Sequence, residues 1–75
     1  MSAESLIKMA NQIAQYFSSE PDHTLAVKGV RQHIQSFWTP GMRRELSAWQ
    51  EKHPEAVLHP LLLAALTEPG GGLAP

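Results

Sequence analysis

The run Leu61-Leu62-Leu63-Ala64-Ala65-Leu66 constrains the fold of this chain more than any other stretch. Six consecutive helical residues turn through more than a full circle, so such a helix is apolar on every side and has no face to give to water. It is bounded by His59-Pro60 and by Thr67-Glu68-Pro69, and is far short of the roughly 20 apolar residues that cross a bilayer. A helix like this must be buried. In a chain of 75 residues its outer side has little to pack on, which points to a partner surface at Leu62 and Leu63, with Leu63 simply left exposed as the plainer alternative.

Three amphipathic segments precede it. Leu6, Ala10, Ile13 and Phe17 recur at helical spacing, broadened by Met9, and predict a helix over Ser2 to Ser18, capped by Ser2 with Glu4 in its first turn. Glu20-Pro21 breaks the chain, and Asp22 or Thr24 caps a second helix from about Thr24 to Trp38 with Val27, Val30, Ile34, Phe37 and Trp38 on one side. Gly29 inside it costs about 1 kcal/mol relative to alanine, which is either tolerated strain or the mark of a closely approaching helix. Thr39-Pro40 is an N-cap followed by a proline at the first helical position. The third helix carries Met42, Leu46 and Trp49 and ends near Lys52–His53, where Pro54 stops it. The last helix begins at Glu55 or His59 and ends at Thr67. The chain therefore reads as all-α: a small bundle of three to four short helices over residues 1–67, and a flexible C-terminal tail over residues 68–75 with Gly70-Gly71-Gly72 in it. The core is expected from Leu6, Ala10, Ile13, Phe17, Val27, Val30, Ile34, Met42, Leu46 and Trp49.

Catalysis finds little support in these residues. The chain has no cysteine and four histidines, His23, His33, His53 and His59, none of which pair at the three- or four-residue spacing that puts two ligands on one helix face. No phosphate-binding glycine motif precedes a helix. No basic leader or membrane-length apolar run is present, so a cytoplasmic protein is expected. Charge is uneven: residues 28–52 hold five basic and two acidic side chains, and the flanking segments are acidic. With Arg43 and Arg44 near the start of the third helix, this raises a helix-turn-helix DNA-binding alternative, which an overall pI of about 6.4 opposes. A free-standing homodimeric helical module is a further alternative.

Three stretches are distinctive: Met9-Ala10-Asn11-Gln12-Ile13; His33-Ile34-x-x-Phe37-Trp38-x-Pro40-x-Met42-Arg43; and His59-Pro60-Leu61-Leu62 followed by Ala64-Ala65-Leu66. Together they resemble the small delta subunit of the soluble NAD-dependent formate dehydrogenases of bacteria, over about residues 5–67. Gly41 and His59 depart from the usual pattern, since the family more often has a larger or charged residue at the first and an acidic one at the second. The resemblance implies a non-catalytic accessory subunit that binds no cofactor itself and assists assembly, maturation or stability of the complex that oxidises formate to CO2 with NAD+. Its implied partners are a large catalytic subunit and flavin/iron–sulfur subunits, carrying a molybdenum or tungsten pterin, iron–sulfur clusters and FMN. No nucleic acid or membrane partner is implied, and the isolated chain is a candidate homodimer.

Physical reasoning places the candidate partner interface at His33, Phe37, Trp38, Pro40, Met42 and Arg43, around one helix–helix corner, together with Leu62 and Leu63. Aromatic residues and arginine dominate binding energy at protein interfaces, which makes Trp38 and Arg43 the expected anchors. The plainer reading is a corner that only defines the fold. Asn11, in mid-helix where asparagine is mildly unfavourable, is expected to hydrogen-bond to a second helix or to a partner.

Overall fold

A computed structural model describes residues 2–69. It contains four helices, α1 (Ala3–Phe17), α2 (His23–Phe37), α3 (Pro40–Lys52) and α4 (Pro60–Thr67), and no strand among the described residues. Each helix starts on a side-chain cap. Ser2 Oγ accepts from the Ser5 amide at 3.1 Å, Asp22 Oδ1 from Leu25 at 3.1 Å, and Thr39 Oγ1 from Met42 at 3.2 Å. His59 Nδ1 accepts from Leu61 at 3.1 Å. Each cap satisfies one of the amides that a first helical turn leaves without a partner. The last helix begins at the later of its two expected starts, because residues 53–59 form a turn and then an irregular stretch before Pro60.

Helix α1 is the hub: it packs against α2, α3 and α4, while α2 and α4 also pack on each other. Leu61, Leu62, Ala64 and Ala65 of α4 are buried, with Leu66 half-buried. The rest of the chain therefore does wrap the apolar helix on most of its circumference, and only Leu63 faces out, 43 % exposed. The small residues Ala10, Ala14 and Ala26, all essentially inaccessible, keep the α1 and α2 backbones unobstructed for close packing.

Burying α4 against α1 and α2 rearranges the expected core. Leu6, Ala10, Val27, Val30, Ile34 and Leu46 are buried as expected. Ile13, Phe17 and Met42 are only half-buried at its edge. Trp49 is also half-buried, its ring stacked on His53 at 4.2 Å. Their expected places are filled by Ala14, Ala26, Trp38 and the α4 side chains. The chain exposes 4672 Å², close to the roughly 4,600 Å² of an ordinary monomer of this mass.

Polar side chains tie the far ends of the chain together. Asn11 Oδ1 accepts from the His59 amide at 3.0 Å, joining α1 to the start of α4. Arg31 of α2 donates through Nε to Ala65 O at 3.0 Å and through its terminal nitrogens to the carbonyls of Ala64, Glu68 and Pro69, closing the C-terminus of α4. His23 and Glu68 pair at 3.0 Å on the surface. Of the tail expected over residues 68–75, residues 70–75 lie outside the described residues, including the three glycines. Asn11→Ala leaves the His59 amide part-buried without its acceptor, and is expected to lower stability by about 1–3 kcal/mol in urea titration followed by circular dichroism. A change within about 0.5 kcal/mol would show the bond to be dispensable.

Candidate partner interface

Of the large apolar side chains that stand exposed, Tyr16 and Phe37 line one groove, while Leu25, Val57 and Leu63 lie elsewhere on the surface. Met9, Gln12, Ile13, Tyr16 and Phe17 of α1, His33 and Phe37 of α2, Trp38 at the corner and Met42 of α3 line a groove of about 520 Å³. Helical spacing produces it. While α1 turns Leu6, Ala10 and Ala14 inward, Met9, Ile13 and Tyr16 form the adjacent row; on α2, His33 and Phe37 stand one turn apart, flanking the buried Val30 and Ile34. The rings meet across the two helices. Tyr16 and Phe17 lie edge-to-face at 5.0 Å, and Phe17 and His33 at 6.3 Å, while the His33 and Phe37 rings are tilted at 41° with centroids 4.8 Å apart. Tyr16 is 76 % and Phe37 74 % exposed, so large rings stand at the surface with part of their area in water.

The expected interface residues divide into surface and support. His33, Phe37 and Met42 line the groove, and Pro40 is exposed at the first position of α3. Trp38 and Arg43 are interior in the isolated chain, 5 % and 7 % exposed. Helix α2 ends at Phe37, and Trp38 adopts an extended backbone that folds its side chain into the core, where it forms the groove floor. Phe37 and Trp38 therefore do not share one side of a helix. Arg43 reaches beneath the corner, donating from Nη1 to Trp38 O at 2.9 Å and Gln35 O at 3.2 Å, so it closes the C-terminus of α2. With Arg43 inside, only Arg44 of the basic pair is exposed on the would-be recognition helix. Leu62 is fully buried, and Leu63 stands outside the groove.

The α1 side of the groove, with Ile13, Tyr16 and Phe17, is not among the expected interface residues, since Ile13 and Phe17 are expected in the core. The signal was Tyr16-Phe17 itself: adjacent aromatics point about 100° apart, so both cannot enter one narrow core. A second hollow of about 680 Å³ lies between α1 and Val57–Pro60. It is lined in part by Glu4, Lys8, Asn11, Gln12, Gln15 and His59 and has no Phe, Tyr or Trp. The first groove has no Asp, Glu, Lys or Arg in its lining. Among the described residues, no three His, Asp or Glu side chains come together as a metal-holding group, and no helix is long and apolar enough to cross a membrane.

Compared with known proteins, residues 5–66 match the family described as "NADH-dependant formate dehydrogenase delta subunit FdsD". No curated protein and no solved structure matches the chain.

Proposed function

This chain belongs to the formate dehydrogenase delta-subunit family, and from that premise we propose that it is a non-catalytic accessory subunit of a cytoplasmic NAD-dependent formate dehydrogenase. It assists assembly, maturation or stability of the complex and docks on another of its subunits through the aromatic groove. The family membership supports association with formate dehydrogenase subunits; the exposed rings at Tyr16 and Phe37 support the place. Formate oxidation and electron transfer to NAD+ belong, on this reading, to partners that carry the molybdenum or tungsten pterin, iron–sulfur clusters and FMN.

The chemistry of the groove supports a partner surface of one kind. A charged group brought against a lining with no charge of its own would be desolvated without a counter-charge, at a cost of several kcal/mol. The matching surface is therefore an uncharged apolar stripe of the partner subunit, such as one face of an amphipathic helix. His33, Gln12 and the Tyr16 hydroxyl are polar groups of lining residues, and provide hydrogen bonds that fix its register. Purification of the tagged chain from its native host tests the reading. A large pterin and iron–sulfur subunit and a flavin subunit are expected to co-purify with it; recovery of the chain alone, with a fully assembled enzyme in a strain lacking it, would defeat the proposal.

A further inference from the structure

We infer that Gly29 sets the shape of the docking groove by giving the Phe17 ring its seat against α2. This inference rests on reading the groove as the docking face. Gly29 lies in the interior of α2, in helical backbone that any residue adopts. Helix propensity alone favours alanine there, so the backbone gives no reason for a glycine. Space gives one. A Cβ at position 29 would lie 2.5 Å from Phe17 Cδ1, 2.6 Å from Cε1 and 3.2 Å from Cγ. Three atoms along one ring edge are involved, down to Cγ near the backbone, so turning the tip of the side chain does not relieve the clash.

The direction of the displaced ring follows from its surroundings. On the core side, Val30 and Ile34 are completely inaccessible, with no space to receive a ring. The groove is the open side. Phe17 moved that way loses its edge-to-face arrangement with His33 and fills the volume a partner side chain would enter. The missing Cβ therefore holds the ring low, as part of the groove wall, with His33 and Phe37 one and two turns further along the same row of α2. Gly41, by contrast, has nothing nearer than 3.9 Å to a built Cβ and sets nothing comparable.

Gly29→Ala in the full chain tests the inference. Its α-helical circular dichroism is expected to persist, the nuclear Overhauser contacts between the Phe17 and His33 rings to disappear, and affinity for the purified dehydrogenase subunits to fall at least about tenfold. Retained Phe17–His33 contacts would overturn the seat, and lost contacts with unchanged affinity would overturn its role in docking. Should Gly29→Ala fail to fold, adding Phe17→Leu, which removes the ring, is expected to restore a cooperative melt; absence of that rescue would overturn the inference. A wild-type chain that binds no dehydrogenase subunit would instead defeat the docking reading, and the ring contacts would still decide the seat.

Discussion

Trp38→Ala is expected to lower the free energy of unfolding by about 3–5 kcal/mol, while Phe37→Ala, one residue earlier, changes it by no more than about 0.5 kcal/mol. The contrast comes from one change of backbone direction. Phe37 is the last residue of α2 and its ring stands 74 % exposed. Trp38 has left the helix, although its amide still donates to Ile34 O at 2.9 Å, and its indole enters the core at 5 % exposure. Removing it takes away the groove floor and opens a large void between the groove and the core cluster. It also loosens the corner whose Trp38 carbonyl accepts from Arg43. A domain this small has only several kcal/mol in total to lose, so the variant should be largely unfolded at moderate urea. Urea titration followed by far-ultraviolet circular dichroism measures both variants. Equal midpoints for the two would contradict the inward placement of Trp38.

Tyr16→Glu combined with Phe37→Glu should do the reverse, leaving the fold intact and abolishing association. Both side chains are about three-quarters exposed, so their replacement costs the isolated chain little. At a covered groove the two carboxylates would lose water without gaining counter-charges, and two aromatic anchors would be gone. Affinity for the dehydrogenase subunits is expected to fall more than about a hundredfold, equivalent to about 2.8 kcal/mol, with a melting temperature within a few degrees of wild type. Titration calorimetry and thermal melts provide the two readouts. Unchanged affinity would move the interface elsewhere on the molecule.

The elements of the fold were legible because their signals are local. Ser2, Asp22 and Thr39-Pro40 mark helix starts through chemistry confined to one turn, and the apolar run at 61–66 announced a buried helix. The centre of the core was less legible. Whether Ile13, Phe17 and Trp49 or Ala14, Ala26 and Trp38 fill it depends on where α4 lodges, and the stripe on α1 is wide enough to serve either arrangement. The two arginines show the same limit in polar form. Arg31 reaches carbonyls 33 to 38 positions along the chain, and Arg43 turns back under the corner instead of outward. Residue type alone marked Arg43 as an anchor for a partner; geometry makes it the cap of α2. Asn11 was recognised as out of place in mid-helix, and its bond to His59 is the reason it is there. At the groove, sequence spacing found the α2 and α3 side and missed the α1 side.

Hydrogen–deuterium exchange on the full chain, alone and with the purified catalytic and flavin/iron–sulfur subunits, tests most directly whether this groove is where the subunit joins its enzyme. Backbone amides of residues 9–17 and 33–42 are predicted to gain protection on binding, and those around Val57 and Leu63 to stay as they are. Protection centred on Val57 or Leu63, with the Tyr16 and Phe37 segments unchanged, would contradict the account.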